Sequence, residues 1–260
     1  MDKLSVVKIG GNVIEDTAAL ESFLTDFSHM KGPKILVHGG GKKATAMAHQ
    51  LNVPVKIVDG RRITDAPNLD IITMLYGGKI NKSMVAQLQS LDCNALGISG
   101  ADGNALQAVK RPVKKIDYGF VGDIVAVNGS FFGHLLAEGI TPVCCAITHD
   151  KKGQLLNTNA DTIAATISKT MSEYFEVSLW YCLEKQGVLE NIENEDSVIK
   201  VITPEKYKKL KAANSIHSGM IPKIDNCFDA LNAGVNVVKI GAAKMITGNE
   251  NHTTIKINDE

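Results

Sequence analysis

"LSVVKIGGN", residues 4–12, is an apolar run that stops on a lysine and two glycines. Leu4 to Ile9 reads as a strand, so Lys8 stands at its tip, just ahead of Gly10 and Gly11. A glycine turn after a parallel strand opens backbone N–H groups toward the strand's C-terminal edge, and a helix that follows adds its positive end. An anion is favoured there, although a tight strand-to-helix turn alone would also account for Gly10-Gly11. The same order recurs in "ILVHGGGKK", residues 35–43. Two such turns at neighbouring strand ends can hold a polyphosphate from two sides.

Outward from these turns, short β-rich runs alternate with longer amphipathic ones. Thr17 to Ser28 places Leu20, Phe23, Leu24 and Phe27 on one helical stripe. Lys34 to Val37 reads as a second strand, followed by a helix through about Leu51, and Val55 to Val58 as a third strand. Thr64 or Asp65 can cap a long helix with Pro67 in its first turn. "NALGIS" and "TPVCCAI" read as buried strands, and residues 107 to 125 as an antiparallel hairpin laid over one end of the sheet. From about Val177 come the strand "VSLWYCL", a polar hairpin-like stretch, two helical segments, and the closing strands "VNVVKIG" and "TTIKI". The pattern predicts an α/β protein: a three-layer α/β/α sandwich around a mainly parallel open sheet of about eight strands. With no low-complexity linker, two lobes sharing one sheet are expected, residues 1–175 and 176–260.

Lys plus Arg and Asp plus Glu balance at 28 each, so no global field recruits nucleic acid or a membrane. The five cysteines show no CxxC spacing, and Cys144 and Cys145 sit in an apolar run. They read as buried thiols of a reducing compartment. No apolar run reaches the length of a membrane span, and a cytoplasmic location is expected.

Residues 39–44 also satisfy G-x-G-x-x-A, with Asp59 at about the spacing of a ribose-binding acid. This dinucleotide fingerprint explains neither Lys8 nor the later clusters. "LLNTNADTIAATISK" sets Asn157, Asn159 and Asp161 at a strand end and helix start, where Asn159 or Asp161 could serve only as an N-cap. "SGMIPK" sets Lys223 after a glycine-containing loop. Phosphoryl transfer asks little covalent chemistry of a protein; it needs positive charge on the migrating group, in-line placement and donors on the oxygens. Two lysines, glycine-turn amides and an aspartate that orients the lysines meet that need.

Together "VVKIGGN", "ILVHGGGKK", "GRRITD", "GGKINK", "DYGFVGDI", "LLNTNADTIAA" and "GMIPK" resemble the amino acid kinase family, in its branch that phosphorylates the side-chain carboxylate of N-acetyl-L-glutamate on the route to arginine. The likeness runs over roughly residues 4 to 175 and resumes around Ser218 to Lys223. It implies a carbamate kinase-like fold, an acylamino acid and a dimer contact in the first lobe, and ATP in the second. Lys8 and Lys223 would neutralise the transferred phosphoryl group, and Asp161 would orient both. Gly10, Gly11, Gly39 and Gly40 would offer backbone N–H groups to phosphate oxygens, with Gly40 and Gly41 also near the acylamino acid. Arg62 would take the substrate α-carboxylate, its planar fork suiting bidentate capture, while Asn157 and Asn159 position substrate and phosphate. An acceptor carboxylate is already ionised near neutral pH, so no general base is required. His38 is the one histidine beside a motif and is read as a supporting residue. Mg²⁺ would arrive with ATP, held mainly by phosphates, with no tightly bound organic cofactor and no metal cage of protein ligands.

The second lobe departs from the family pattern. Glu184 stands near the usual aspartate in "YCLEKQGVL", and with Gly187 and Gly219 it marks the nucleotide side. Arg61 replaces a commonly apolar residue and could pair with the extra carboxylate of an N-succinyl substrate. Because the first strand is entered by residue 4, a homodimer without arginine feedback is expected rather than a hexameric ring. A nucleotide-binding regulator that has lost catalysis is the reading of a different class.

Overall fold

The structure is a computed structural model that describes residues 1–58, 60–191, 193–213, 215–216, 220–248 and 250–258. Its first strand, β1 (Lys3–Ile9), buries Leu4, Val6, Val7 and Ile9, apolar side chains on both faces. That is the pattern of a parallel strand covered by helices on both sides. After Gly10 the chain turns through α1 (Gly11–Glu15) into α2 (Thr17–His29), which Asp16 caps by accepting from the Ala19 amide at 3.0 Å. β2 (Lys34–His38) is buried throughout, and α3 (Gly41–Gln50) follows its glycines.

The expected third strand is present, outside this sheet. β3 (Lys56–Val58) pairs antiparallel with β4 (Arg61–Ile63) in a separate hairpin. Lys56 and Ile57 stay exposed there, Ile57 by 57%. Asp65 then caps α4 (Ala66–Ile72), accepting from the Asn68 amide at 3.0 Å, with Pro67 in the first turn. A π-helical stretch, Thr73–Ile80, continues it without a break into α5 (Asn81–Gln89).

The next elements are β5 (Ala95–Ile98), β6 (Leu106–Lys110), β7 (Gly122–Val127), α6 (Gly129–Ala137), β8 (Thr141–Cys145), β9 (Ile147–His149) and β10 (Leu155–Asn157). Then come α7 (Ala160–Met171), β11 (Glu176–Leu183), β12 (Val201–Ile202), α8 (Pro204–Ala212), α9 (Ile221–Asn232), β13 (Val237–Ala242) and β14 (His252–Ile255). The main sheet has eight strands in the order β12-β14-β13-β11-β1-β2-β8-β5. From β13 to β5 all neighbours are parallel, while β14 runs antiparallel to β13 and carries β12 with it. Helices α6, α7 and α9 form one covering group, with α7 on β1, β2 and β11; α2 packs with α5. This is the expected three-layer sandwich.

The residue 107–125 hairpin exists as β6 and β7, antiparallel with a bulge between Gln107 and Ala108. It belongs to a second sheet of order β10-β9-β6-β7. Bridges from Gly119 to Thr64 and from Val121 to Asn157 bring its long loop against the ends of β4 and β10. Among the described residues no helix is long and apolar enough to cross a membrane.

Candidate active site

Three strand-to-helix junctions meet at the C-terminal ends of β1, β2 and β10. Lys8, one residue before the end of β1, reaches Asp161 Oδ1 with its Nζ at 2.7 Å. Lys223, in the first turn of α9, reaches Asp161 Oδ2 at 2.8 Å. One carboxylate thus bridges two ammonium groups drawn from opposite ends of the sequence. Asp161 sits in the first turn of α7, where the helix dipole favours negative charge. Asn159 is the cap of that helix, its Oδ1 accepting from the amides of Asp161 at 2.8 Å and Thr162 at 3.1 Å. Burial pushes the Asp161 carboxyl up, but the charges of Lys8 and Lys223 outweigh it and hold the pKa down at about 2.

Sequence reading missed Tyr181, which completes this cluster. It lies opposite Lys8 on β11, donates its hydroxyl to the Asp161 carbonyl at 3.2 Å, and places its ring 5.2 Å from Lys223 Nζ. Register between β1 and β11 creates that neighbourhood, and no local pattern announces it.

The glycine turns begin α1 and α3 at Gly10 and Gly40, and neither helix has a side-chain cap. Their first amides are left open for an acceptor. Gly40 is required where it stands: its φ is +154°, and a Cβ there would lie 2.5 Å from Ile80 Cδ1 and 3.0 Å from Tyr76 Cε1. Gly39 and Gly41 flank it on the wall of the same cavity. His38, behind this turn, is fully buried between the Gly39 carbonyl (Nδ1, 2.8 Å) and the Asn81 amide (Nε2, 3.0 Å). Burial lowers its pKa to about 4, only partly opposed by the bond to Gly39, so the imidazole is neutral.

In front of the turns lies a polar cavity of about 340 Å³, lined by Lys8, Gly39 to Gly41, Arg61, Arg62, Asn157, Asn159 and Asp161. Arg62 is buried, and its Nη2 donates to the Gly41 carbonyl at 2.8 Å and to Thr45 Oγ1 at 2.6 Å. Its Nη1 is buried with no partner among the described residues. A buried guanidinium nitrogen without an acceptor is costly unless a ligand supplies one. Asn157 donates to Thr64 Oγ1 at 3.0 Å. Arg61 lines this cavity and also a smaller one of about 280 Å³ beside Lys223.

A second, more apolar cavity of about 610 Å³ adjoins the first at Gly11. Gly10, Leu183, Glu184, Gly187, Leu189 and Met220 are on its walls. Gly187 is packed too tightly for a side chain, since a Cβ would lie 2.7 Å from Thr253 Oγ1 and Val198 Cγ1. Glu184 is exposed at the rim, and Gly219 lies outside the described residues. A polar chamber with a buried cationic wall and the Gly39–Gly41 turn, and a larger apolar chamber that meets it at the Gly10-Gly11 turn, form a cleft able to align an anionic acceptor with a nucleotide's phosphates.

Comparisons with known proteins give the family and the fold. A profile of the Amino acid kinase family matches residues 3–241. An acetylglutamate kinase from Cytophaga hutchinsonii is 52% identical over 256 residues, covering 97% of each chain. One from Phocaeicola vulgatus is 50% identical over 254 residues, covering 98% of each. The carbamate kinase of Giardia lamblia bound to AMP-PNP has the same fold, with a TM-score of 0.73 over 99% of both chains at 13% identity. The chain belongs to the amino acid kinase family.

Proposed function

We propose that the protein transfers the γ-phosphoryl group of Mg-ATP to the side-chain carboxylate of N-acetyl-L-glutamate, giving the 5-phosphate and ADP. The observation that carries this reading is Asp161, which holds the Lys8 and Lys223 ammonium groups together where the polar cavity borders the smaller one beside Lys223. Relatives at 50–52% identity, each named acetylglutamate kinase, support it. A carboxylate oxygen of the acceptor forms the new bond to γ-phosphorus while the bond to the β–γ bridging oxygen breaks, its electron pair leaving on ADP. The acceptor is ionised at neutral pH, so no proton has to be removed. Lys8 and Lys223 counter the charge on the phosphoryl oxygens, and Asp161 keeps both ammonium groups in place. Amides at Gly10, Gly11, Gly39 and Gly40 cradle the phosphates, and Mg²⁺ enters as part of the nucleotide substrate.

Arg62 binds the acceptor's α-carboxylate, with Gly41, Asn157 and Asn159 around it. The polar cavity is built wholly from residues before 162, and most of the apolar one from residues after 182, which supports an acceptor lobe and a nucleotide lobe. Glu184 and Gly187 then belong to the nucleotide side. Five buried, unpaired cysteines support work in the reducing cytoplasm.

The test is ADP release by the purified protein with Mg-ATP and, in turn, N-acetyl-L-glutamate, N-succinyl-L-glutamate and free glutamate. Turnover with the acetyl compound and little with free glutamate is expected. Because Arg61 lines the acceptor cavity, a marked preference for the succinyl compound would change the named substrate. Silence with all three, despite ATP binding, would end the kinase reading.

A further inference from the structure

The helical rod from Ala66 to Gln89 changes its winding in the middle, with α-helix on either side of the π-helical Thr73–Ile80. Residues 72, 76, 80, 84 and 88 are all buried, each four after the last. At 3.6 residues per turn, a pure α-helix would carry such a row around its axis by about 40° a step. A π-helical stretch fits more residues into each turn and keeps the row facing inward; such stretches recur at functional sites. Among the residues of the stretch turned inward, with Leu75 and Ile80, is Tyr76.

Tyr76 is 5% exposed, and what remains exposed opens into the polar cavity. Its ring packs against Gly40, and a Cβ built on Gly41 would lie 3.8 Å from the hydroxyl. That hydroxyl makes no hydrogen bond among the described residues, although a buried phenol ordinarily finds a partner. Burial pushes its pKa up to about 12, the nearby Arg62 charge opposing, so the proton is present at neutral pH.

Arg62 explains why a further donor is needed. Two parallel bonds from a guanidinium to a carboxylate come from Nη1 with Nη2, or from Nε with Nη2. Nη2 already donates to the Gly41 carbonyl and to Thr45 Oγ1, whose own hydroxyl donates to the same Gly41 carbonyl at 3.0 Å. Nη1, by contrast, is buried with no partner among the described residues. A carboxylate taken by Nη1 has a second oxygen to satisfy.

We propose that Tyr76 is a substrate-recognition residue whose hydroxyl donates to the acceptor carboxylate that Arg62 holds through Nη1. The assignment rests on the phosphoryl-transfer reading of this cavity. Tyr76→Phe removes the hydroxyl and keeps the ring that packs against Gly40. The expected result is a KM for N-acetyl-L-glutamate raised roughly tenfold, as for one lost hydrogen bond to a charged group. The KM for ATP should stay within about twofold, and the thermal midpoint should hold. An unchanged KM for N-acetyl-L-glutamate, or an equal rise in both KM values, would overturn the assignment. If the wild-type protein shows no turnover, that failure strikes the kinase reading, and calorimetric titration with N-acetyl-L-glutamate still decides this one. Weaker binding to the variant sustains it; equal binding, or binding to neither protein, overturns it.

Discussion

Asp161 is the residue on which the most interactions converge. It is held in the first turn of α7 by the Asn159 cap, bonded through its carbonyl to Tyr181, and paired through its two carboxylate oxygens with Lys8 and Lys223. Asp161→Asn keeps the shape and removes the charge that gathers the lysines. Its kcat should fall on the order of a hundredfold or more, comparable to losing one electrostatic stabiliser of a transition state. Stability gives an independent check. The folded pKa of about 2 lies below the unfolded carboxylate value near 4, so the unfolded chain binds the proton more readily between them. The contribution, about 2 kcal/mol, is complete above pH 4 and is lost as pH falls toward 2. Urea midpoints of wild type and Asp161→Asn should therefore converge on acidification over that window. A constant gap between them would show that the carboxylate's charge is not what stabilises the junction.

The elements around the site are tied together by a second polar cluster, with no part in the chemistry. His38 ends β2, and Asn81 begins α5; Asn81 Nδ2 donates to His38 Nε2 and to the Val143 carbonyl of β8 at 2.9 Å. This fixes the helical rod to two strands just behind Gly40, so it also sets where Tyr76 and Ile80 press on that glycine. His38 is neutral when folded, with a pKa near 4, and ionises near pH 6.5 when unfolded. The unfolded state therefore gains a proton first as pH drops. The cluster's contribution is whole above about pH 6.5 and declines by about 3 kcal/mol as pH falls through 4. Denaturant midpoints taken from pH 7 to pH 4.5 should slope downward in wild type and be flatter in His38→Leu, whatever that variant loses at pH 7. Parallel slopes would remove the histidine as the cause.

For the molecule as a whole, the open edge of the main sheet raises the question of assembly. β5 is the outermost strand on one side and presents Leu96 at 40% exposure. Exposed edge strands invite pairing or must be covered. The reading of the chain as a homodimer without arginine control predicts twice the 27.9 kDa chain mass in light scattering. That mass, and the rate of ADP release, should be unchanged by millimolar arginine. A sixfold mass, or inhibition by arginine, would refute this reading.

Local pattern was enough for the order of elements, because apolar periodicity and glycine punctuation act within a few residues. The strands of the main sheet other than β12, the helices after both glycine turns, the 107–125 hairpin and the Asp65 cap were legible in that way. Lys8, Arg62, Asp161 and Lys223 were named through a family resemblance carried by short motifs, and the structure sets them around adjoining cavities. That β3 pairs with β4 and not with the main sheet was not legible, because a short run of apolar residues does not say which strand it pairs with. The reversal of β14 was not visible, since strand direction depends on how the chain returns. Tyr181 and Tyr76 were missed for a related reason: one faces Lys8 through inter-strand register, the other enters the cavity through a local change of helical winding. What the chain carries in its order is which residue types stand at each turn; which of them come within bonding distance across 62 or more positions, as Asp161 and Lys223 do, is settled only when packing closes the sheet and its helices around them.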